Sequence, residues 1–413
     1  MIIRNLIIFA LLNCLPLKLI ANPWAFEGLD VVSEQGQLTI KIQRLMLEEL
    51  QFEIFNLEYR CDGVNQIYPL HKCDNGVAKF SINGIGYDLL VTGWVDLINN
   101  KWFLDISDKS KYISININSN DMYSINIDLQ NVLLTDIVNL IKSKVSNDLS
   151  EITGKLNSKI HISFEKELGL TLQYEIEEFG WESENGDFVF AGTKLSGKLE
   201  ASEKNGELIL KSEINITSGE SLIKDLYISF EKTPIQTEIS MAVVDQTIQQ
   251  FNIIVKSNDT FNSIINVSEW DNDFNPKHLS IEYSILNFDQ FYRGIIASYF
   301  ELLGVTRGVF SGELSGKLVF LNDSIEFASV HIHNLNGEMP SKKIEIDSLN
   351  GDLIWSNTSE FTPSNLNWER LLLAGMPLQK ASISIQSNMN EVKITKDTEI
   401  PIFDGSVIIN NLH

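Results

Sequence analysis

The segment Tyr112-Ile113-Ser114-Ile115-Asn116-Ile117 alternates apolar and polar residues at period two, and no other feature constrains the chain as strongly. Successive side chains of a strand point to opposite faces, so Ile113, Ile115 and Ile117 share one face and polar side chains share the other. After the turn-like Asn118-Ser119-Asn120-Asp121, alternation resumes at Tyr123, Ile125, Ile127 and Leu129, which predicts a hairpin. The same grammar recurs at Leu208-Ile209-Leu210, Ile214-Asn215-Ile216, Val330-His331-Ile332, Ile344-Glu345-Ile346, Ile383-Ser384-Ile385 and Val392-Lys393-Ile394. Strands are therefore expected almost end to end, with Asn, Gly and Asp gathered in the turns between them.

Two segments depart from period two. Over 132–149, Leu133, Leu134, Ile137, Val138, Leu140, Ile141 and Val145 fall along one helical stripe. Over 288–303, Phe288, Phe291, Tyr292, Ile295, Ile296, Tyr299, Phe300 and Leu303 repeat at helical spacing. Both predict amphipathic helices that cap the end of a sheet, with an apolar plug or a membrane-surface contact as the alternative. A short phrase also returns at Thr153-Gly154-Lys155-Leu156, Ser196-Gly197-Lys198-Leu199, Ser315-Gly316-Lys317-Leu318, Asn350-Gly351-Asp352-Leu353 and Asp404-Gly405-Ser406-Val407. Each copy is expected to begin a strand, and their uneven spacing excludes a strict solenoid.

Residues 1–21 carry Arg4, an apolar run from Leu6 to Leu12, and Leu19-Ile20-Ala21 before Asn22-Pro23. This reads as a secretory signal peptide cleaved near Ala21. An uncleaved inner-membrane anchor is the alternative, opposed by the interruptions at Asn13, Pro16 and Lys18. Lipidation of Cys14 is opposed by Leu11-Leu12-Asn13, which lacks the small residue a lipobox places beside its cysteine. In an exported chain, Cys61 and Cys73 form an even pair and predict a disulfide that stabilises the fold by about 3 kcal/mol. A metal site with His71 lacks a fourth ligand at suitable spacing.

With 55 acidic against 32 basic residues and a formal charge of -23, the chain is a poor candidate for a phosphate track, so no nucleic-acid partner is expected. The stretch Gly192-Thr193-Lys194-Leu195-Ser196-Gly197-Lys198 imitates a phosphate-binding loop until Leu199 replaces the magnesium-binding hydroxyl. His331 and His333 would share a strand face, where a solvent-facing polar row is preferred over a metal site. The usual hydrolase motifs are missing from the sequence, and no catalytic residue, metal or cofactor is assigned. Asp271 and Asp273 beside Trp270 could serve a glycosidase only if they faced each other across a cleft; an acidic turn is preferred.

Residues 285–413 add a resemblance. Phe300-Glu301-Leu302-Leu303-Gly304-Val305 leads into Gly308-Val309-Phe310-Ser311-Gly312-Glu313-Leu314-Ser315-Gly316-Lys317-Leu318. Asn336-Gly337, Ser348-Leu349-Asn350-Gly351-Asp352-Leu353-Ile354-Trp355, Leu366-Asn367-Trp368 and Ile400-Pro401-Ile402-Phe403-Asp404-Gly405-Ser406-Val407 come after them. Together these resemble the AsmA-like superfamily, particularly its YdbH-type branch. The resemblance implies a mostly β fold, a long antiparallel curved sheet forming a U-shaped trough in the bacterial periplasm, along which phospholipid acyl chains pass between membranes. It also implies partners among inner- and outer-membrane proteins.

Alternation agrees with such a trough, because a sheet that is polar outside must cover its apolar face with itself, helices or a ligand. Ile113, Ile115, Ile117, Ile125, Ile127, Val330, Ile332, Ile344 and Ile346 are the candidate groove residues. The expected organisation is a leader over 1–21, an N-terminal β region with the disulfide and a terminal helix over 22–150, a central β region over 151–284, and a helix plus AsmA-like β region over 285–413. The run Val407-Ile408-Ile409-Asn410-Asn411-Leu412-His413 reads as an uncapped strand, which invites an edge-strand partner or marks a truncated reading frame. The expected function is a non-enzymatic lipid conduit or lipid-binding protein serving outer-membrane maintenance. The alternatives are a structural or adhesion β-protein without ligand and, further off, a carbohydrate-active enzyme.

Overall fold

The computed structural model describes residues 25–34, 36–47, 52–62, 65–67, 70–82, 85–96, 98–99, 101–108, 112–118, 123–141, 152–164, 168–183, 185–204, 206–244, 247–270, 276–302, 308–322, 324–394 and 396–409. The leader, Cys14, Asp271, Asp273, Leu303 and the last four residues of the terminal run lie outside the described residues. Within them the chain is mostly β, antiparallel and open-sheeted, as the alternation predicts. It forms two compact units, residues 1–176 with 199–204 and residues 177–198 with 205–413.

In the first unit, strands succeed one another as a meander. Gln37–Leu47 pairs with Phe52–Asp62, which pairs with Leu70–Ile82, and the ladder continues through Ile85–Asp96, Lys101–Asp108, Ile113–Asn118, Tyr123–Leu133 and Thr153–Phe164. The expected hairpin is present, with Ile113 opposite Leu129, Ile115 opposite Ile127 and Ile117 opposite Ile125. Direct antiparallel partners share a face. The register therefore draws one apolar row through Leu38, Cys61, Gly76, Val91, Ile106, Ile115, Ile127 and Ile160. The opposite face sets Lys41, Glu58, Lys79 and Asp88 in register, with ion pairs of 3.4 Å from Lys41 to Glu58 and 3.8 Å from Lys79 to Asp88. The predicted disulfide joins Cys61 to Cys73.

The second unit repeats the design. Glu207–Ile223 pairs with Ile235–Val244, and the ladder runs on through Thr247–Ser257, Phe261–Trp270, Pro276–Ile285, Val309–Leu321, Ser324–Met339 and Ile344–Ser356. One apolar row passes through Ile239, Ile253, Ile265, Ile281, Leu318, Ala328 and Trp355. On the other face a polar row passes through Lys256, Asn262, Ser284, Ser315, His331, Asp352, Asn365 and Ser384. Beyond Ile344–Ser356 the ladder bends, because that strand pairs with both Thr362–Trp368 and Arg370–Leu373 on either side of Glu369.

Both helices exist, with altered limits. The first begins at Leu134 and runs to Ile141; Val132 and Leu133 instead pair with Leu156 and Lys155 as strand, and 142–150 are outside the described residues. Asn131 explains the delay: it takes a left-handed φ of 52° as a bulge that keeps Leu129 and Val132 in one ladder, and its N–H donates to Asn157 Oδ1 at 2.8 Å. The second helix spans 288–302 and contains a π segment, Tyr292–Ile296. Asn287 caps it, its side chain accepting from the Gln290 N–H at 3.1 Å. The wider π turn shifts the phase of the final helical turn, so Tyr292 and Ala297 are buried while Tyr299 faces outward. Phe291 packs edge-on against Phe261, and Phe288 and Tyr292 against Phe310, so the helix covers one end of the apolar face.

The recurring glycine phrase does not mark strand starts throughout. Gly154 and Gly405 do sit at strand beginnings, but Gly197, Gly316 and Gly351 lie inside Phe188–Lys204, Val309–Leu321 and Ile344–Ser356. Glycine inside a strand marks a bulge or a close approach, which local sequence does not distinguish from a turn.

Candidate functional site

The candidate site is the apolar face of each unit, and its coverage differs from place to place. In the first unit Ile40, Cys61 and Val91 are buried, whereas Ile106, Ile115, Ile117, Ile125, Ile127 and Ile160 are only half-buried. In the second unit every side chain of the row from Ile239 to Trp355 is half-buried, and Phe230 and Ile285, beside the helix, are buried. A second sheet packed face to face would bury such rows. Among the described residues, packing in each unit is dominated by neighbouring strands and by the helices on the strands they touch.

Bulges keep this face continuous where simple alternation would lose it. At Asn334 and Ser348 one residue is inserted in each of two neighbouring strands, with φ of 46° and 55°, and Gly312, with a φ of 123°, stands opposite the first insertion. Each insertion offsets parity by one, so Leu335 stays on the side of Ile332 and Ile346 on the side of Leu349, and Phe310, in register with Gly337, shares the side of Leu314 by plain alternation. The bulge amides are satisfied by asparagines of the adjacent strand: Asn350 Oδ1 accepts from the Asn334 N–H at 2.7 Å, and Asn336 Oδ1 from the Ser348 N–H at 2.8 Å. Register thereby places Val330, Ile332, Ile344 and Ile346 on one face of the second unit. Ile113, Ile115, Ile117, Ile125 and Ile127 share the corresponding face of the first.

Aromatic rings lie against this face at glycines. Tyr283 stands opposite Gly316 and donates from Oη to the Ser329 carbonyl at 3.3 Å, and a Cβ on Gly316 would come within 2.6 Å of that Oη. Tyr59 likewise covers Gly76, and Phe310 covers Gly337. Burial of the phenol pushes Tyr59 up to about 12 and also raises Tyr283 and Tyr174 above the ordinary tyrosine range. These hydroxyls are protonated at neutral pH, so Tyr59 and Tyr283 add no charge to the face they cover.

The opposite face is wet and charged. His331 pairs through Nδ1 with Asp352 Oδ1 at 2.6 Å, both half exposed, and His333 stands opposite Glu313. The polar row expected for the histidines is therefore present, but Asp352 was not legible as a partner because it lies a strand away. Among the described residues no three His, Cys, Asp or Glu side chains converge as metal ligands. The phosphate-loop imitation lies within Phe188–Lys204, where Gly192 has a φ of 58° and Thr193 is fully buried, so this stretch is strand and opens no helix. No helix among the described residues is long and apolar enough to cross a membrane. Compared with known proteins, the chain matches no family model, no curated protein and no solved structure.

Proposed function

We propose that the apolar face of each unit binds acyl chains of lipids, and that the protein is a non-enzymatic periplasmic lipid-binding or conduit protein assisting phospholipid movement between membranes and outer-membrane maintenance. One observation carries the reading: cross-strand rows made mostly of Ile, Val and Leu lie largely half-buried on an antiparallel sheet whose other face is a ladder of ion pairs and amides. Apolar surface left in water is unfavourable, and each methylene that covers it contributes about 0.8 kcal/mol. A chain of some sixteen carbons thus gains on the order of 10 kcal/mol before ordering costs. Holding and releasing such a chain requires no covalent step. The resemblance of 285–413 to the AsmA-like superfamily supports the same reading, and the Cys61–Cys73 disulfide supports an oxidising compartment.

The test is lipid extraction and mass spectrometry of the protein purified from its native membranes, with a fluorescent fatty acid as a solution probe. Ile265→Asp and Ile281→Asp place charge in the row and should weaken probe binding at least tenfold, while Asn252→Asp on the wet face should leave it unchanged. Recovery of no acyl lipid, together with equal probe binding by all three variants, would refute the proposal.

A further inference from the structure

Turn tips of β-proteins are ordinarily polar, because water surrounds the chain there. One rim of the second unit departs furthest from that rule, although Leu321, Ile325, Met389 and Val392 are exposed at the opposite rim. Register places at this single rim the turn at Lys224 and Asp225, the helical stretch 288–302, the turn after Met339, the turn at Ala374 and Gly375, and the turn at Phe403 and Asp404. Tyr227, Tyr299, Leu302, Leu373, Met376 and Phe403 are exposed along it, Leu302 by 66% and Phe403 by 68%. They belong to one surface: the Tyr227 N–H donates to Ser298 Oγ of the helix at 3.2 Å, the Gly375 N–H donates to the Lys343 carbonyl at 3.3 Å, and Gln379 Nε2 donates to the Phe403 carbonyl at 3.2 Å.

Charged residues sit at the same tips: Lys224 beside Asp225, Lys342 beside Lys343, and Asp404 beside Phe403, all exposed. A dry protein interface would strip water from these ions, which is costly without matched partners. A bilayer surface does not. Apolar tips enter the headgroup–acyl boundary while neighbouring ammonium and carboxylate groups remain among the headgroups, and mixed signs suit zwitterionic lipid. We propose that this rim seats the second unit on the surface of a zwitterionic phospholipid bilayer. The inference uses the rim alone and not the acyl-binding face, so the two readings fail separately.

The full chain is made with a photoreactive benzophenone amino acid at position 403 or 373, or at 389 on the opposite rim as control. Each is irradiated with vesicles of phosphatidylcholine and phosphatidylethanolamine. Lipid adducts at 403 and 373 are expected at five times or more the yield at 389, and L302S, M376S and F403S combined should lower the yield at 373 at least fivefold without changing the melting temperature. Equal yields at all three positions overturn the proposal, as does an unchanged yield at 373 in the triple variant. So does labelling that passes to a protein when native membranes replace the vesicles. Fatty-acid probe binding, measured in parallel, should be unaffected by the triple substitution; loss of probe binding by Ile265→Asp with photolabelling intact keeps the rim separate from the face.

Discussion

Gly316 shows how single residues set this face. A Cβ there would run into the Ser329 carbonyl oxygen and the Tyr283 phenol, neither of which is the free end of a flexible chain. Gly316→Ala should therefore destabilise the fold by roughly 1–3 kcal/mol in urea unfolding, as overpacking of a tight site does. Asn350 serves differently, since its carbonyl oxygen satisfies the Asn334 N–H at a bulge. Asn350→Ala leaves that donor to water or to nothing and should cost about 1 kcal/mol or more by the same measurement. Tyr59 supplies a pH dependence. Its folded value is raised to about 12 by burial, against an unfolded value near the ordinary ~10, so the unfolded chain releases this proton first. The stabilising contribution is fully present below about pH 10 and is lost as pH rises towards about 12. Denaturation midpoints across that window should fall in the native protein and fall less in Tyr59→Phe.

At the level of elements, the disulfide ties Phe52–Asp62 to Leu70–Ile82 through a twelve-residue separation, with Cys61 fully buried in the apolar row. Replacing both cysteines by serine should lower stability by about 2–4 kcal/mol, read as a lower denaturant midpoint that dithiothreitol reproduces in the native chain. This pair was legible in the sequence because, outside the expected leader that holds Cys14, Cys61 and Cys73 are the two cysteines of the chain and both lie near turn residues. The hairpin from Ile113 to Leu129 was legible too, since period two is unbroken there and fixes which side chains share a face. The aromatic helix at 288–302 was legible as a helix, but not its π turn, which arises where buried Gly294 meets Thr233 and not from any periodicity. Bulges were the systematic blind spot. Asn350-Gly351 reads as the beginning of a strand, yet it and Asn336-Gly337 stand within strands, where the asparagine side chain satisfies the bulge of a neighbouring strand. That role depends on a partner a strand away, and no local pattern contains the register. The same is true of Asp352 beside His331.

For the whole molecule, charge and fold pull against each other. The formal charge of -23 spreads over faces that also carry exposed cross-strand ion pairs, such as Lys256 with Glu238 at 2.8 Å and Lys317 with Glu282 at 2.9 Å. Exposed pairs of this kind contribute about 0.2–1 kcal/mol each and weaken with salt, which would make the protein less stable as ionic strength rises. Self-repulsion of the uncompensated carboxylates acts in the opposite direction over longer distances, and salt screens it beyond roughly 8 Å at physiological ionic strength. Long-range terms are screened first and outnumber the pairs, so raising sodium chloride from about 10 to about 150 mM should raise the melting temperature. Sodium sulfate at matched ionic strength should raise it further, because excluded salts also favour coverage of apolar surface. A melting temperature that falls with sodium chloride would mean that the ladder of ion pairs on the wet face holds the sheet flat enough to matter more than its overall charge. It would also predict that Lys256→Met and Lys317→Met abolish the salt response, whereas repulsion predicts that both variants keep it.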